Sequence, residues 1–304
     1  MKTGTNILML MRREVWENRS LWIAPLVISG IILVAALLGG IHASDGNFAF
    51  GTQPSDDDLQ HLLASSADKH EAIYGMTIAT FTAMQLFTLA IVVFFYLLDS
   101  LLGERKDRSI LFWKSLPISD AEVVASKVLT AVVAAPLYVL LVSALTQVLF
   151  ALVWSLRFGG TTLGQILMPW DASVWLQVQV GFLVLVPAVV VWYLPLVGYL
   201  LLVSVWARRN AFLWAVLPPV AILMAEGLLL HSNSFAEFLG RRFGGVFKVM
   251  DFSEPRSLIV DDVLGMFVRH VGNVFMHPET WLGVLAAAGL FIAVVRIRRY
   301  RDEN

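Results

Sequence analysis

Residues 76–98 read MTIATFTAMQLFTLAIVVFFYLL, and residues 99–127 read DSLLGERKDRSILFWKSLPISDAEVVASK. The first stretch carries no charged side chain and is long enough for an α-helix to cross a hydrocarbon core of roughly 30 Å. The second is the only dense block of charge between two long apolar runs, so it belongs in water between two spans. Composition agrees: 304 residues that are 58% apolar and 15% charged, at a mean hydropathy of +0.74, exclude an ordinary soluble domain.

Six segments reach the length of about 20 apolar residues that a helical crossing needs, near 21–41, 76–98, 126–155, 179–206, 211–230 and 281–297. The expected fold is all-α and polytopic, a single membrane domain over residues 1–304. Lys2, Arg12, Arg13, Glu14 and Arg19 precede a full-length first span, which therefore reads as retained rather than as a cleaved signal peptide. There is no cysteine, so disulfides and thiolate metal sites are out.

Orientation follows from Lys and Arg placement. Lys2, Arg12, Arg13 and Arg19, then Arg105, Lys106, Arg108, Lys114 and Lys127, then Arg208 and Arg209, then Arg296, Arg298, Arg299 and Arg301 all fall on one side. The other side holds Asp45, Asp56, Asp57 and Asp58, then Arg157 and Asp171, then a long connection from 231 to 280. Both termini are expected in the cytoplasm. Arg241, Arg242, Lys248, Arg256 and Arg269 oppose this, but basic residues of long loops weigh little in setting topology.

Local signals sharpen the elements. Ser119 with Glu122 three residues on is a capping box after Pro117, so the third spanning helix should start there and run unbroken into the membrane. Ser55 with Asp58 is a second such start, opening a short external helix through Leu59, Leu62 and Leu63. Ile7, Leu10, Met11 and Val15 share a helical face ahead of the first span, with Glu14 intruding on it, as in a helix lying on the inner leaflet. Near 258–276, Val260, Leu264, Phe267, Val271 and Val274 form a stripe with Asp261, Asp262, Arg269 and His270 off it, which reads as an amphipathic helix at the outer interface. Trp22, Trp206 and Trp214 mark the inner boundary and Trp154, Trp170, Trp175 and Trp281 the outer one.

Catalytic motifs are missing. No G-x-x-x-x-G-K-[ST] and no H-E-x-x-H occurs, so neither phosphate cradling nor a zinc-protease site is written in this chain, and no catalytic residue is expected. His270 and His277 lack a third ligand and read as solvated interface histidines, so no metal is expected either. Glu226, near the outer end of the fifth span, is the one acid deep enough to be a functional candidate by default, and snorkelling to headgroups or His231 is its ordinary alternative. Gln85, Thr88, Gln147 and Tyr193 either line a pathway or join helices by hydrogen bonds, the commoner role. An ion-gradient-driven secondary transporter is the alternative reading of such a chain, and it would have to depend on Glu226.

The loop carries an order: Glu104-Arg105-Lys106-Asp107-Arg108-Ser109, then apolar Ile110-Leu111-Phe112-Trp113, then Lys114 and a Pro117-Ile118-Ser119 turn, then Ser126-Lys127. Phe112 and Trp113 on a short cytosolic helix want either a partner's groove or the inner leaflet. This order resembles the loop between the second and third spans of the ABC type-2 permease family. The N-terminal interfacial helix, six spans and long fifth-to-sixth connection with membrane-dipping helices look like that family across nearly the whole chain. Arg108-Ser109 stands where the family often has Gly-Thr. The resemblance implies a coupling helix over the loop 99–125, docking on a separate ATPase subunit present in two copies through Glu104, Arg105, Lys106, Asp107, Arg108, Ile110, Leu111, Phe112, Trp113 and Lys114. It implies a second permease copy or a related permease, ATP and Mg bound by the partner rather than by this chain, and a bacterial-type inner membrane. Lipid is an expected partner and nucleic acid is not.

Overall fold

A computed structural model describes residues 3–38, 41–44, 47–50, 67–107, 118–158, 172–250 and 263–300, with side chains described for residues 7–38, 74–107, 118–156, 172–229, 231–250 and 263–300. The helices are α1 (Thr3–Glu17), α2 (Ser20–Leu38), α3 (Ala67–Lys106), α4 (Asp120–Leu129, continuing through Thr130–Ala134 into Ala135–Phe158), α5 (Ala172–Trp206), α6 (Ala211–Ala225, then Glu226–Leu230), α7 (Ser234–Met250), α8 (Val263–Met276) and α9 (Pro278–Tyr300). Between α2 and α3 a short antiparallel ribbon pairs Ile41–Ser44 with Asn47–Phe50. The protein is all-α and polytopic: α2, α3, α4, α5, α6 and α9 are long and apolar enough to cross a membrane.

The spanning helices outrun the apolar runs that announce them. α3 has 40 residues and α5 has 35, about 60 Å and 52 Å at 1.5 Å per residue, against roughly 30 Å of hydrocarbon. A helix does not stop where hydrophobicity stops; it stops at a cap. α4 begins on the expected capping box, where the Glu122 amide donates to Ser119 Oγ at 3.2 Å and the Ser119 amide donates to Glu122 Oε2 at 2.8 Å. Its expected unbroken run holds, but the turn Thr130–Ala134 widens to π geometry just before Pro136, which has no N–H for an ordinary i−4 bond. The Ser55–Asp58 start lies outside the described residues.

α1 and α2 are separated by Asn18 and Arg19, and Asn18 Nδ2 donates to the Glu14 carbonyl at 3.0 Å. The α1 stripe packs against α4: Leu10 is buried, while Leu8, Met9 and Trp16 on the opposite side are exposed. The amphipathic helix near 258–276 is described from Val263 onward and packs along α5, with Phe267, His270 and Val274 inward. His270 thus lies on the buried face, a correction to its expected solvated position. α8 can come this close because Gly181 of α5 has no side chain. A Cβ there would overlap three carbons of the Phe267 ring.

Trp206 and Trp214 sit half-exposed in edge-to-face contact, 4.6 Å between centroids, and Trp281 is also exposed, as belt residues should be. Trp154 is instead buried, stacked on Phe150 in a small cluster with Ile32, Ala36 and Phe81. Trp170 lies outside the described residues.

Candidate functional site at the basic end

The last turn of α3 is where the apolar run gives way to Gly103-Glu104-Arg105-Lys106, and the direction of each side chain decides what the following loop stands on. Glu104 turns inward and is 8% exposed. Its Oε1 meets Lys127 Nζ of α4 at 2.9 Å and its Oε2 accepts from Arg298 of α9 at 2.7 Å. Arg298 also donates Nε to Asp120 Oδ1, at the start of α4, at 3.0 Å. Lys127 donates to Glu14 Oε1 of α1 at 2.8 Å, and Tyr96 of α3 donates its hydroxyl to Glu14 Oε2 at 2.9 Å.

Four helices are thereby joined through three carboxylates and two cations, nearly all withdrawn from solvent. The two stems of the charged loop, Glu104 on one side and Asp120 with Lys127 on the other, are cross-linked to each other and to α1 and α9. Arg105 is half-buried and closes the end of α5, donating to the carbonyls of Ser204 at 2.7 Å and Ala207 at 2.6 Å. Ser204 Oγ in turn accepts from the amides of Leu101 and Leu102 at 3.0 and 3.1 Å. Of the expected docking residues, Glu104 and Arg105 therefore face the bundle, whereas Lys106 and Asp107 are exposed. Arg108, Ile110, Leu111, Phe112, Trp113 and Lys114 lie outside the described residues.

Sequence reasoning misses Glu14, Asp120, Tyr96 and Arg298 as members of this site. One signal is present: Glu14 interrupts the apolar stripe of α1, and an acid in that position needs a buried cation. Arg298, by contrast, sits in a run of basic residues and nothing in the run distinguishes it.

Gln85 and Gln147 are buried between helices. Gln147 Nε2 donates to the Ile78 carbonyl at 3.0 Å, Thr82 Oγ1 at 2.8 Å and Ser143 Oγ at 3.1 Å, and its Oε1 accepts from Trp175 Nε1 at 3.0 Å and from Gln179. Gln85 Nε2 donates to Ser29 Oγ at 3.2 Å and Thr146 Oγ1 at 3.4 Å. These bonds tie α2, α3, α4 and α5 together. Thr88 turns back to its own helix, bonding the Met84 carbonyl at 3.0 Å, and Tyr193 donates to the Phe243 carbonyl of α7 at 2.6 Å.

Glu226 caps a helix. Its Oε2 accepts from the Phe235 amide at 2.8 Å and its Oε1 from Ser232 Oγ at 2.8 Å, satisfying a free donor in the first turn of α7. His231 turns the chain between them in the left-handed region, at φ 49°. Replacing Glu226 by Ala should speed amide exchange at Phe235 about fivefold to tenfold while leaving α9 amides unchanged, as loss of a cap predicts. Unchanged exchange at Phe235 would remove the capping role.

α7 is seated on the bundle by Arg242. Its guanidinium lies 5.1 Å from the Trp192 ring centroid and donates to the carbonyls of Trp192 and, at 3.3 Å, Glu279, while Trp192 Nε1 donates back to the Arg242 carbonyl at 3.0 Å. Burial lowers the pKa of this guanidinium, and nearby Glu279 opposes the shift.

No protein-family model matches this chain, and no curated protein does. What the fold and its sites define is a multi-pass α-helical membrane protein of transporter-like build.

Proposed function

We propose that this chain is the membrane-spanning permease subunit of an ATP-driven ABC exporter, working with two copies of a separate ATPase subunit that binds ATP and Mg, and with a second permease, identical or related. The carrying observation is the ion cluster at the two stems of the charged loop, Glu104 on one side and Asp120 with Lys127 on the other. A push on that loop reaches α3 and α4 together, and through Lys127 and Arg298 it reaches α1 and α9. Buried ion pairs seldom add net stability over apolar packing, so their use here fits a need for fixed geometry. Glu104 and Arg105 form the base of the coupling element. Lys106, Asp107, Arg108, Ile110, Leu111, Phe112, Trp113 and Lys114 form its docking surface.

The path runs between two permeases. A path through one copy would have to break the bonds of Gln85 and Gln147, whereas α6 is the least covered of the six spans and leaves a surface for a second copy. The cargo is hydrophobic or amphipathic, and this chain performs no catalysis. The secondary-transport alternative loses its acid, since Glu226 is committed to capping α7. Trp113→Asp combined with Lys114→Glu is expected to leave membrane insertion intact and to abolish co-purification of the ATPase subunit. Normal recovery of the complex would overturn the docking reading.

A further inference from the structure

Where α3 ends and the α5–α6 turn begins, a cleft of about 350 Å³ opens at the basic end of the bundle. Lys106 and Arg209 line it, both exposed and without a carboxylate partner among the described residues, and so does the exposed carboxylate of Asp99. Phe95, Phe212 and Leu213 form its apolar wall, with the first two rings stacked at 6.1 Å and about half exposed. The half-exposed Trp206–Trp214 pair follows directly along α5 and α6, placing the cleft at the level of a leaflet boundary.

We propose that this cleft binds a phospholipid of the inner leaflet whose headgroup carries both a phosphate and a primary amine. Lys106 and Arg209 supply two cations for the phosphate, as basic pockets between spanning helices do. Asp99 decides the headgroup. With both cations turned to the phosphate, a glycerol headgroup offers Asp99 only hydroxyl groups, whereas an ammonium group gives it a charged hydrogen-bond partner. The acyl chains lie along Phe95, Phe212 and Leu213, each about half exposed. The cleft shares Lys106 with the proposed docking surface, so lipid retention is read on this chain without the ATPase subunit.

Full-length protein, delipidated in detergent and offered equal amounts of phosphatidylethanolamine, phosphatidylglycerol and phosphatidylcholine, tests this by native mass spectrometry of the retained lipid. Phosphatidylethanolamine should exceed each of the others at least about threefold. The Lys106→Ala, Arg209→Ala double variant should lose that retention. Asp99→Asn should keep a bound lipid but lose the preference for the ethanolamine headgroup over the glycerol one. All three substitutions sit on exposed side chains, and an unchanged melting temperature separates lost binding from misfolding. Equal retention of the three lipids, retention unaffected by the double variant, a preference indifferent to Asp99, or a change in oligomeric state in place of lipid loss would each overturn the proposal.

Discussion

Lys127→Met is expected to destabilise the protein by about 3–5 kcal/mol, the range seen when one partner of a buried ion pair is removed. Lys127 is 2% exposed and is the cation shared by Glu14 and Glu104. Without it two carboxylates remain in a site closed to water. Glu104 keeps Arg298 and Glu14 keeps the Tyr96 hydroxyl, so the larger part of the cost falls on Glu14. Adding Glu14→Gln should therefore recover more than half of the loss, because the amide oxygen of the new side chain still accepts from Tyr96 and carries no charge. Thermal or denaturant unfolding in detergent, followed by tryptophan fluorescence, reads both effects. Wild-type stability in the single variant would mean that the cluster is open to solvent.

The second large effect is expected from a single methyl group. Gly181→Ala places a Cβ within 2.6 Å of three carbons of the Phe267 ring, far inside van der Waals contact. The ring is 4% exposed and held against Phe182 at 5.4 Å, so it cannot swing aside and α8 must move off α5. Overpacking of this kind costs about 1–3 kcal/mol. In a Phe267→Leu background most of that cost should vanish, giving a coupling of about 1 kcal/mol or more in a double-mutant cycle. Additive effects would show that the contact is not what excludes a side chain at 181.

Much of the architecture is legible along the chain because the bilayer imposes simple rules. Each of the six apolar runs becomes a helix of crossing length. Basic residues such as Arg105, Arg208, Arg209 and Arg298 gather at one end, and Ser119 with Glu122 starts α4 where a capping box should. The site is legible only in outline. Glu104 and Arg105 read as solvent-facing charges because the sequence around them is hydrophilic; they turn inward because Lys127, Arg298 and the end of α5 lie behind them. Glu226 reads as an acid in search of a function, and its partner, the Phe235 amide, is a backbone group that no composition reveals. His270 reads as polar and solvated, whereas the face that α8 buries is chosen by the groove at Gly181.

By itself, then, the sequence determined the class of protein, the number of crossings and which end is basic, since these depend on hydrophobic length and charge, summed residue by residue. Only the tertiary structure decided which charges are neutralised internally. Whether a carboxylate is free to meet a partner depends on which cation another helix brings within about 3 Å of it, and Glu14, Glu104, Lys127 and Arg298 are brought together by packing across distances that no local pattern encodes.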